Sequence, residues 1–169
     1  FHQVGVECLG SRDPLADVET IVLALRFYEA LGISGTRLSL NSTGCRACRG
    51  AYREKLSAHF AGQRAALCPN CLRRLERNVF RALDCKSASC QPAIAAAPPV
   101  TEHLCAACAD HFGRVRTGLA DAGVDAALNP RLVRGLDYYT KTVYEFSSPH
   151  LGSQNAIGGG GRYDDLVTD

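Results

Sequence analysis

The sequence predicts an α+β fold: an antiparallel sheet interrupted by a mostly helical, cysteine-rich insertion. Three observations carry this. Apolar and polar residues alternate near both ends of the chain, with the period of half-buried strands. Between two of those stretches apolar residues recur at helical spacing. The middle of the chain is rich in arginine and holds its cysteines in close pairs.

Taken in order, "FHQVGVECL" puts Val4 and Val6 on one side and Gln3, Gly5 and Glu7 on the other, as a strand with its valines in a core would. Asp13 followed by Pro14 reads as a helix cap and first-turn residue. Val18, Ile21, Val22, Leu25 and Leu31 then recur at helical spacing until Gly32. "TRLSLNS" alternates through Leu38 and Leu40 as a second strand. From Gly44 the texture changes to short Arg-rich helical stretches and cysteine pairs, with "QPAIAAAPPV" read as a linker. "HLCAACADHFGRVRTGLADAGV" closes this part as a helix ending near Gly123, and "DAALN" resumes strand character. Residues 136–146 and "SQNAIGGGGRYDDL" complete the strands. The expected division is core at 1–43, insertion at 44–123 and core again at 124–169.

At 169 residues and 46% hydrophobic content, the chain is long enough for one domain plus a small insert. A net charge of +2 is too mild to mark a nucleic-acid binder by itself. The chain has no Met and opens in what reads as mid-strand, so it is expected to be a piece of a longer reading frame. No apolar run approaches the roughly 20 residues a bilayer span needs, and no signal-like segment opens the chain. A cytoplasmic protein with no membrane partner is expected.

Four cysteine pairs stand out: Cys45 with Cys48, Cys68 with Cys71, Cys85 with Cys90, and Cys105 with Cys108. Two residues between thiolates let a tight turn aim both sulfurs at one tetrahedral cation, so the pairs point to structural Zn²⁺. Eight thiolates suffice for two closed sites or one site with spare cysteines. Spacing does not say which pairs share an ion, and joining the first two and the last two is the simplest arrangement. A disulfide framework fits poorly with a chain that lacks a secretory signature. His59, His103 and His111 are further ligand candidates, although a lone helical histidine more often fills surface or core.

Gln3 and Glu7 flank Gly5 and stand about 13 Å apart along a strand. An amide and a carboxylate placed so suit a small ligand carrying an ammonium and other N–H donors; a polar edge face is the bland alternative. In "GGGGRYDDL" four glycines let backbone and ligand approach closely, and Arg162, Tyr163 and Asp164 follow directly. "LVRGLDYYTKTVYEF" crowds Arg134, Asp137, Tyr138, Tyr139 and Thr140 into one stretch. Arg73, Arg74, Arg77 and Arg81 recur at helical spacing and could meet phosphates, or simply form a solvated face.

"RGLDYYT" and "GGGGRYD" resemble the two signature segments of histidyl-tRNA synthetases, and "FHQVGVE" resembles the later strand of class II motif 2 in that family. The resemblance spans essentially the whole chain and is looser in the insertion. It implies the class II catalytic core and a ligase that activates histidine with ATP and Mg²⁺ and charges tRNA(His), as a homodimer. It implies that Arg134 is the catalytic arginine, contacting the α-phosphate of ATP and the histidine carboxylate. It further implies that Gln3 holds the substrate amino group, that Glu7 and Tyr139 read the imidazole nitrogens, and that Tyr138, Gly160 and Gly161 line the pocket. Both tyrosines can line one pocket only if the strand is irregular near Gly135. Against the family pattern the chain starts after the motif 2 arginine and lacks the dimer motif, motif 3 and an anticodon-binding domain, so it is expected to be inactive alone. Two alternatives compete: a synthetase-like regulatory subunit of ATP phosphoribosyltransferase, and a zinc-dependent RNA-binding module. The intact "RGLDYYT" argues against the first.

Overall fold

The first helix, α1 (Pro14–Ala30), starts where the sequence places it. Asp13 is its cap, accepting the Leu15 N–H at 2.9 Å, and Pro14 occupies the first turn, where a missing N–H costs nothing. In this computed structural model, which describes residues 2–134, 138–152 and 155–166, α1 leads into β1 (Arg37–Gly44). The cysteine-rich stretch follows as α2 (Arg46–Ala61), α3 (Pro69–Arg77), α4 (Gln91–Ala95) and short 3₁₀ turns, before α5 (Ala106–Asp121). The chain ends in β2 (Ala126–Leu128), β3 (Thr140–Ser147) and β4 (Ala156–Arg162).

The four strands form one sheet in the order β2-β1-β3-β4. β1, β3 and β4 pair antiparallel, and the short β2 adds a parallel edge through Leu38 opposite Ala126. One face is covered by α1 and α5, where Val18, Ile21, Phe112, Val115 and Leu119 meet Leu38, Leu40 and Phe146. The buried residues of a second core all come from between β1 and α5: Tyr52, Leu56 and Phe60 of α2 pack with Val79, Ala82, Ile94 and Val100, and Val133 packs against them from outside that stretch. The cysteine-rich stretch therefore buries its own apolar side chains.

Gly44 sets the junction between the two cores. Its φ of +66° reverses the chain at the end of β1, and a Cβ there would lie 2.6 Å from the Cys48 Cβ. Only glycine permits both the left-handed turn and the close seating of α2 against the sheet.

The structure corrects the sequence reading at several points. Residues 2–9 form no strand, and Val4 and Val6 are 69% and 52% exposed instead of core. A strand is held by its ladder, and none of the described strands pairs with this segment. Phe1 lies outside the described residues. "QPAIAAAPPV" is no linker: it forms α4, with Ala93, Ile94 and Val100 buried. Pro92 sits in the first turn of that short helix, where its missing N–H is harmless. Leu31 caps α1 in solvent, 59% exposed, because it falls past the last turn that faces the sheet. The strand read over 136–146 begins at Thr140; Leu136 and Asp137 lie outside the described residues, as do Ser153 and Gln154.

Candidate functional site

β4 is the floor of the candidate site. Because strand side chains alternate, its four glycines serve two faces. A Cβ on Gly159 would stand 2.8 Å from Arg134 Nη1, and one on Gly161 would stand 2.8 Å from the Tyr139 ring. A Cβ on Gly158 would overlap the Tyr28 hydroxyl, and one on Gly160 would come within 2.7 Å of the Tyr144 hydroxyl. Arg134 and Tyr139 thus lie directly on the glycine backbone on the face opposite α1.

Arg134 Nη1 donates to Glu145 Oε2 at 3.0 Å, with both side chains about one-third exposed at 28% and 32%. Glu145 is the register partner of Gly159, so the ion pair is built across the floor. The Tyr138 and Tyr139 rings are 4.8 Å apart, and Tyr138 meets Tyr163 edge-on at 6.0 Å. Neighbouring residues of a regular strand would point apart; both tyrosines precede the first residue of β3, which frees them from that alternation. Gly135, where irregularity was expected, lies outside the described residues. Burial, with neighbouring Tyr138 adding to it, raises the Tyr139 hydroxyl above its ordinary pKa.

Beneath the floor is a buried polar knot. Asp17 of α1 accepts from Thr142 Oγ1 at 2.6 Å, from His111 Nε2 at 2.8 Å and from Arg162 Nε at 2.9 Å. Burial alone would raise the Asp17 carboxyl, yet hydrogen bonds from His111, Thr142 and Arg162 outweigh it and hold the pKa below the ordinary value. Arg162 also donates to the carbonyls of Ser11 and Asp13 and to Asp164, which pairs with Lys141 at 3.0 Å. One guanidinium therefore joins α1, β4 and the turn after it.

The cysteines gather into two groups of four: Cys45, Cys48, Cys105 and Cys108, and Cys68, Cys71, Cys85 and Cys90. The sulfurs of each group lie within 4.8 Å of one another. The pairing is nested, outer with outer and inner with inner, and so differs from the simplest arrangement along the chain. The reason is topological: α2 starts directly after β1 and α5 starts where the chain returns to the sheet, and the Cys105 N–H donates to the Cys48 sulfur at 3.1 Å, so the first and last pairs meet. All nine cysteines are free thiols. A tetrahedral ion with bonds of about 2.3 Å to sulfur needs sulfurs about 3.8 Å apart. The Cys45–Cys48, Cys68–Cys85 and Cys71–Cys90 separations are 3.6, 3.8 and 3.8 Å, so the donor set fits such an ion.

Local structure prepares these thiols as ligands. Cys45, Cys68 and Cys105 are the N-caps of α2, α3 and α5. The backbone N–H of Cys48 brings Cys45 down to about 7, and that of Cys71 does the same for Cys68. The Cys108 N–H likewise lowers Cys105. Burial pushes Cys71, Cys85 and Cys108 up, which a bound cation would reverse. None of the three histidines joins either group. His59 Nε2 meets the Ala93 carbonyl at 2.8 Å, His103 stacks on Tyr52, and His111 holds Asp17.

Comparison with known proteins decides the lineage. The family model for histidyl-tRNA synthetase matches residues 1–169. The chain belongs to the histidyl-tRNA synthetase family. It is 53% identical over 167 residues to a histidine–tRNA ligase of Moorella thermoacetica, covering 99% of this chain and 40% of that protein. A histidine–tRNA ligase of Desulforudis audaxviator is 50% identical over 168 residues, with the same coverage of 99% and 40%. Among solved structures, apo histidyl-tRNA synthetase of S. aureus superposes with a TM-score of 0.69 at 31% identity, over 94% of this chain and 38% of that one. A Bacillus halodurans structure described as an ATP phosphoribosyltransferase regulatory subunit/histidyl-tRNA synthetase shares the fold, with a TM-score of 0.58 at 21% identity, over 94% of this chain and 45% of that one. The chain thus spans about two fifths of the curated relatives it matches.

Within this synthetase-family fold, Arg134, Tyr138, Tyr139 and Gly161 come together on one face of β4, while Gly160 faces Tyr144. Gln3 and Glu7 are exposed on the unpaired segment, and among the described residues no hydrogen bond joins them to Arg134 or Tyr139. Glu7 is near enough to Tyr144 for its charge to add, after burial, to the raised pKa of that hydroxyl. Two contacts escaped the sequence reading: Gly159 under Arg134, and Glu145 beside it. Strand alternation from Gly161 signals the first; nothing in the sequence signals the second. Of the Arg-rich stretch, Arg74 Nη1 donates to the Arg81 carbonyl at 2.8 Å and Arg73 contacts Asn70, so part of that face is used internally. No helix among the described residues is long and apolar enough to cross a membrane.

Proposed function

We propose that the chain is part of a cytoplasmic, homodimeric histidine–tRNA ligase that activates histidine with ATP and Mg²⁺ to histidyl-adenylate and transfers it to tRNA(His). The observation that carries this reading is the seating of Arg134 and Tyr139 on Gly159 and Gly161, in a chain of this family. Residues 1–43 and 124–169 contribute to the catalytic core and residues 44–123 are an insertion. Arg134 stabilises the charge that develops as the histidine carboxylate attacks the α-phosphate, with Glu145 holding its guanidinium in place. Tyr139 and Glu7 read the imidazole nitrogens, Gln3 holds the amino group, and Tyr138, Gly160 and Gly161 line the pocket. A site that hydrogen-bonds both ring nitrogens rejects amino acids lacking them, because its own polar groups would be left unpaired.

Each group of four cysteines would hold a structural Zn²⁺, closed to substrate and serving to fold the insertion. The regulatory-subunit reading has weaker support, because the structure bearing that description is 21% identical and speaks only for the fold. Glu7→Gln in the full-length protein tests the assignment: the histidine KM should rise far more than the ATP KM. Unchanged histidine KM and kcat would refute it.

A further inference from the structure

We propose that Arg49 is a positioning residue for Tyr139, held by the outer cysteine group, so that the root of the cysteine-rich stretch sets how well the site reads its amino-acid substrate. This rests on Tyr139 being the residue that reads the imidazole. Tyr139 lies just before β3, and its first ladder neighbour, Thr140, is where β3 meets Arg162 of β4. Its carbonyl instead accepts Arg49 Nη1 at 2.9 Å and Thr43 Oγ1 at 3.4 Å. A guanidinium donor makes the first of these the stronger bond.

Arg49 crosses from another element to make that contact. It is half-buried in the first turns of α2, and its own N–H bonds the Cys45 carbonyl at 2.9 Å. The preceding residue, Cys48, is buried against Gly44, and its sulfur accepts the Cys105 N–H at 3.1 Å. Four convergent sulfurs at this point tie the start of α2 to the start of α5. From α5, His111 runs through Asp17 to Thr142 and Arg162, which flank Thr140 on the other side of Tyr139. Tyr139 is therefore gripped from both directions, and Arg49 is the grip that belongs to α2. Arg49, Tyr139 and Arg134 also line one cavity, together with Asn41 and Arg81. Among the described residues no hydrogen bond joins the inner cysteine group to Tyr139; Cys71 and Cys90 belong to the separate core of the cysteine-rich stretch.

The test uses the full-length protein, with histidine and ATP affinities measured by calorimetry beside steady-state KM values. Arg49→Ala should weaken histidine on the order of tenfold while ATP moves little, in keeping with loss of a charged hydrogen bond. Arg49→Lys should restore part of the loss, because an ammonium can still donate to the carbonyl. Arg53→Ala, exposed one turn further along α2, should change neither. Cys105→Ser should lower bound zinc by one ion per chain and shift histidine in the same direction. If Arg49→Ala moves histidine no more than ATP, with circular dichroism unchanged, the positioning role is overturned. Tyr139→Phe separates the two ideas. If it weakens histidine and Arg49→Ala does not, only the positioning fails; if it leaves histidine unmoved, the underlying reading of Tyr139 fails with it.

Discussion

Asp17→Asn should be the most damaging conservative substitution in the sheet-and-helix core. Asp17 is 7% exposed, and its two oxygens receive Thr142, His111 and Arg162. Asparagine keeps the shape but replaces one acceptor with a donor facing other donors, and it leaves Arg162 with Asp164 as its remaining carboxylate. Breaking a buried ion pair costs about 3–5 kcal/mol, and the surviving Asp164 contact places this case near about 3 kcal/mol. For a chain of this length, about 2–4 °C of Tm per kcal/mol gives a fall of about 6–12 °C. Thermal unfolding followed by circular dichroism at pH 7 measures it. The pH dependence is a second signature. Asp17 is depressed in the folded protein, so its stabilising effect is complete above the unfolded carboxyl value near 3.9 and fades as pH falls through the folded value. While the folded carboxylate stays ionised, protonation of the unfolded chain at pH 3 removes about 1.3 kcal/mol of the advantage. The gap between parent and variant should therefore narrow near pH 3. A Tm within about 2 °C of the parent, or a gap that does not narrow in acid, would refute the reasoning.

Three further outcomes follow from the geometry. Gly159→Ala places a methyl 2.8 Å from Arg134 Nη1 and from the Tyr144 carbonyl, and should slow adenylate formation by the full-length protein about a hundredfold; single-turnover rates near wild type would contradict it. Ile94→Ala, at a 2% exposed site in the stretch that reads as a linker, should cost about 2–4 kcal/mol in urea unfolding, whereas a true linker would lose under about 0.5 kcal/mol. Reductant-protected protein should carry two zinc ions per chain by elemental analysis, matching the two cysteine groups, and lose α-helical signal on chelation. A content of one ion or none would count against the nested pairing as a metal scaffold.

Much of the secondary structure was legible because it rests on local physics. Asp13 and Pro14 start α1, Leu38 and Leu40 alternate in β1, and the apolar spacing before Gly123 makes α5, each with the residue type its position needs. Legibility failed where a neighbour decides. "FHQVGVECL" alternates as a strand should, yet forms none without a partner, and α4 looks like spacer until Ile94 is seen filling a core. For the site, Arg134 and the two tyrosines could be named from their segments, but not Glu145 or Gly159, which join them only through the pairing of β3 with β4.

The sequence by itself carried the family resemblance, the candidate residues and the close pairing of the cysteines, because side-chain chemistry and short spacings travel with the chain. Only the tertiary structure decided which cysteine pairs meet, which face each glycine of β4 serves, and that Asp17 is the buried hub beneath them. Those are contacts between residues as far apart as Cys48 and Cys105, or Asp17 and Arg162, and periodicity along one chain carries no information about what stands across from it.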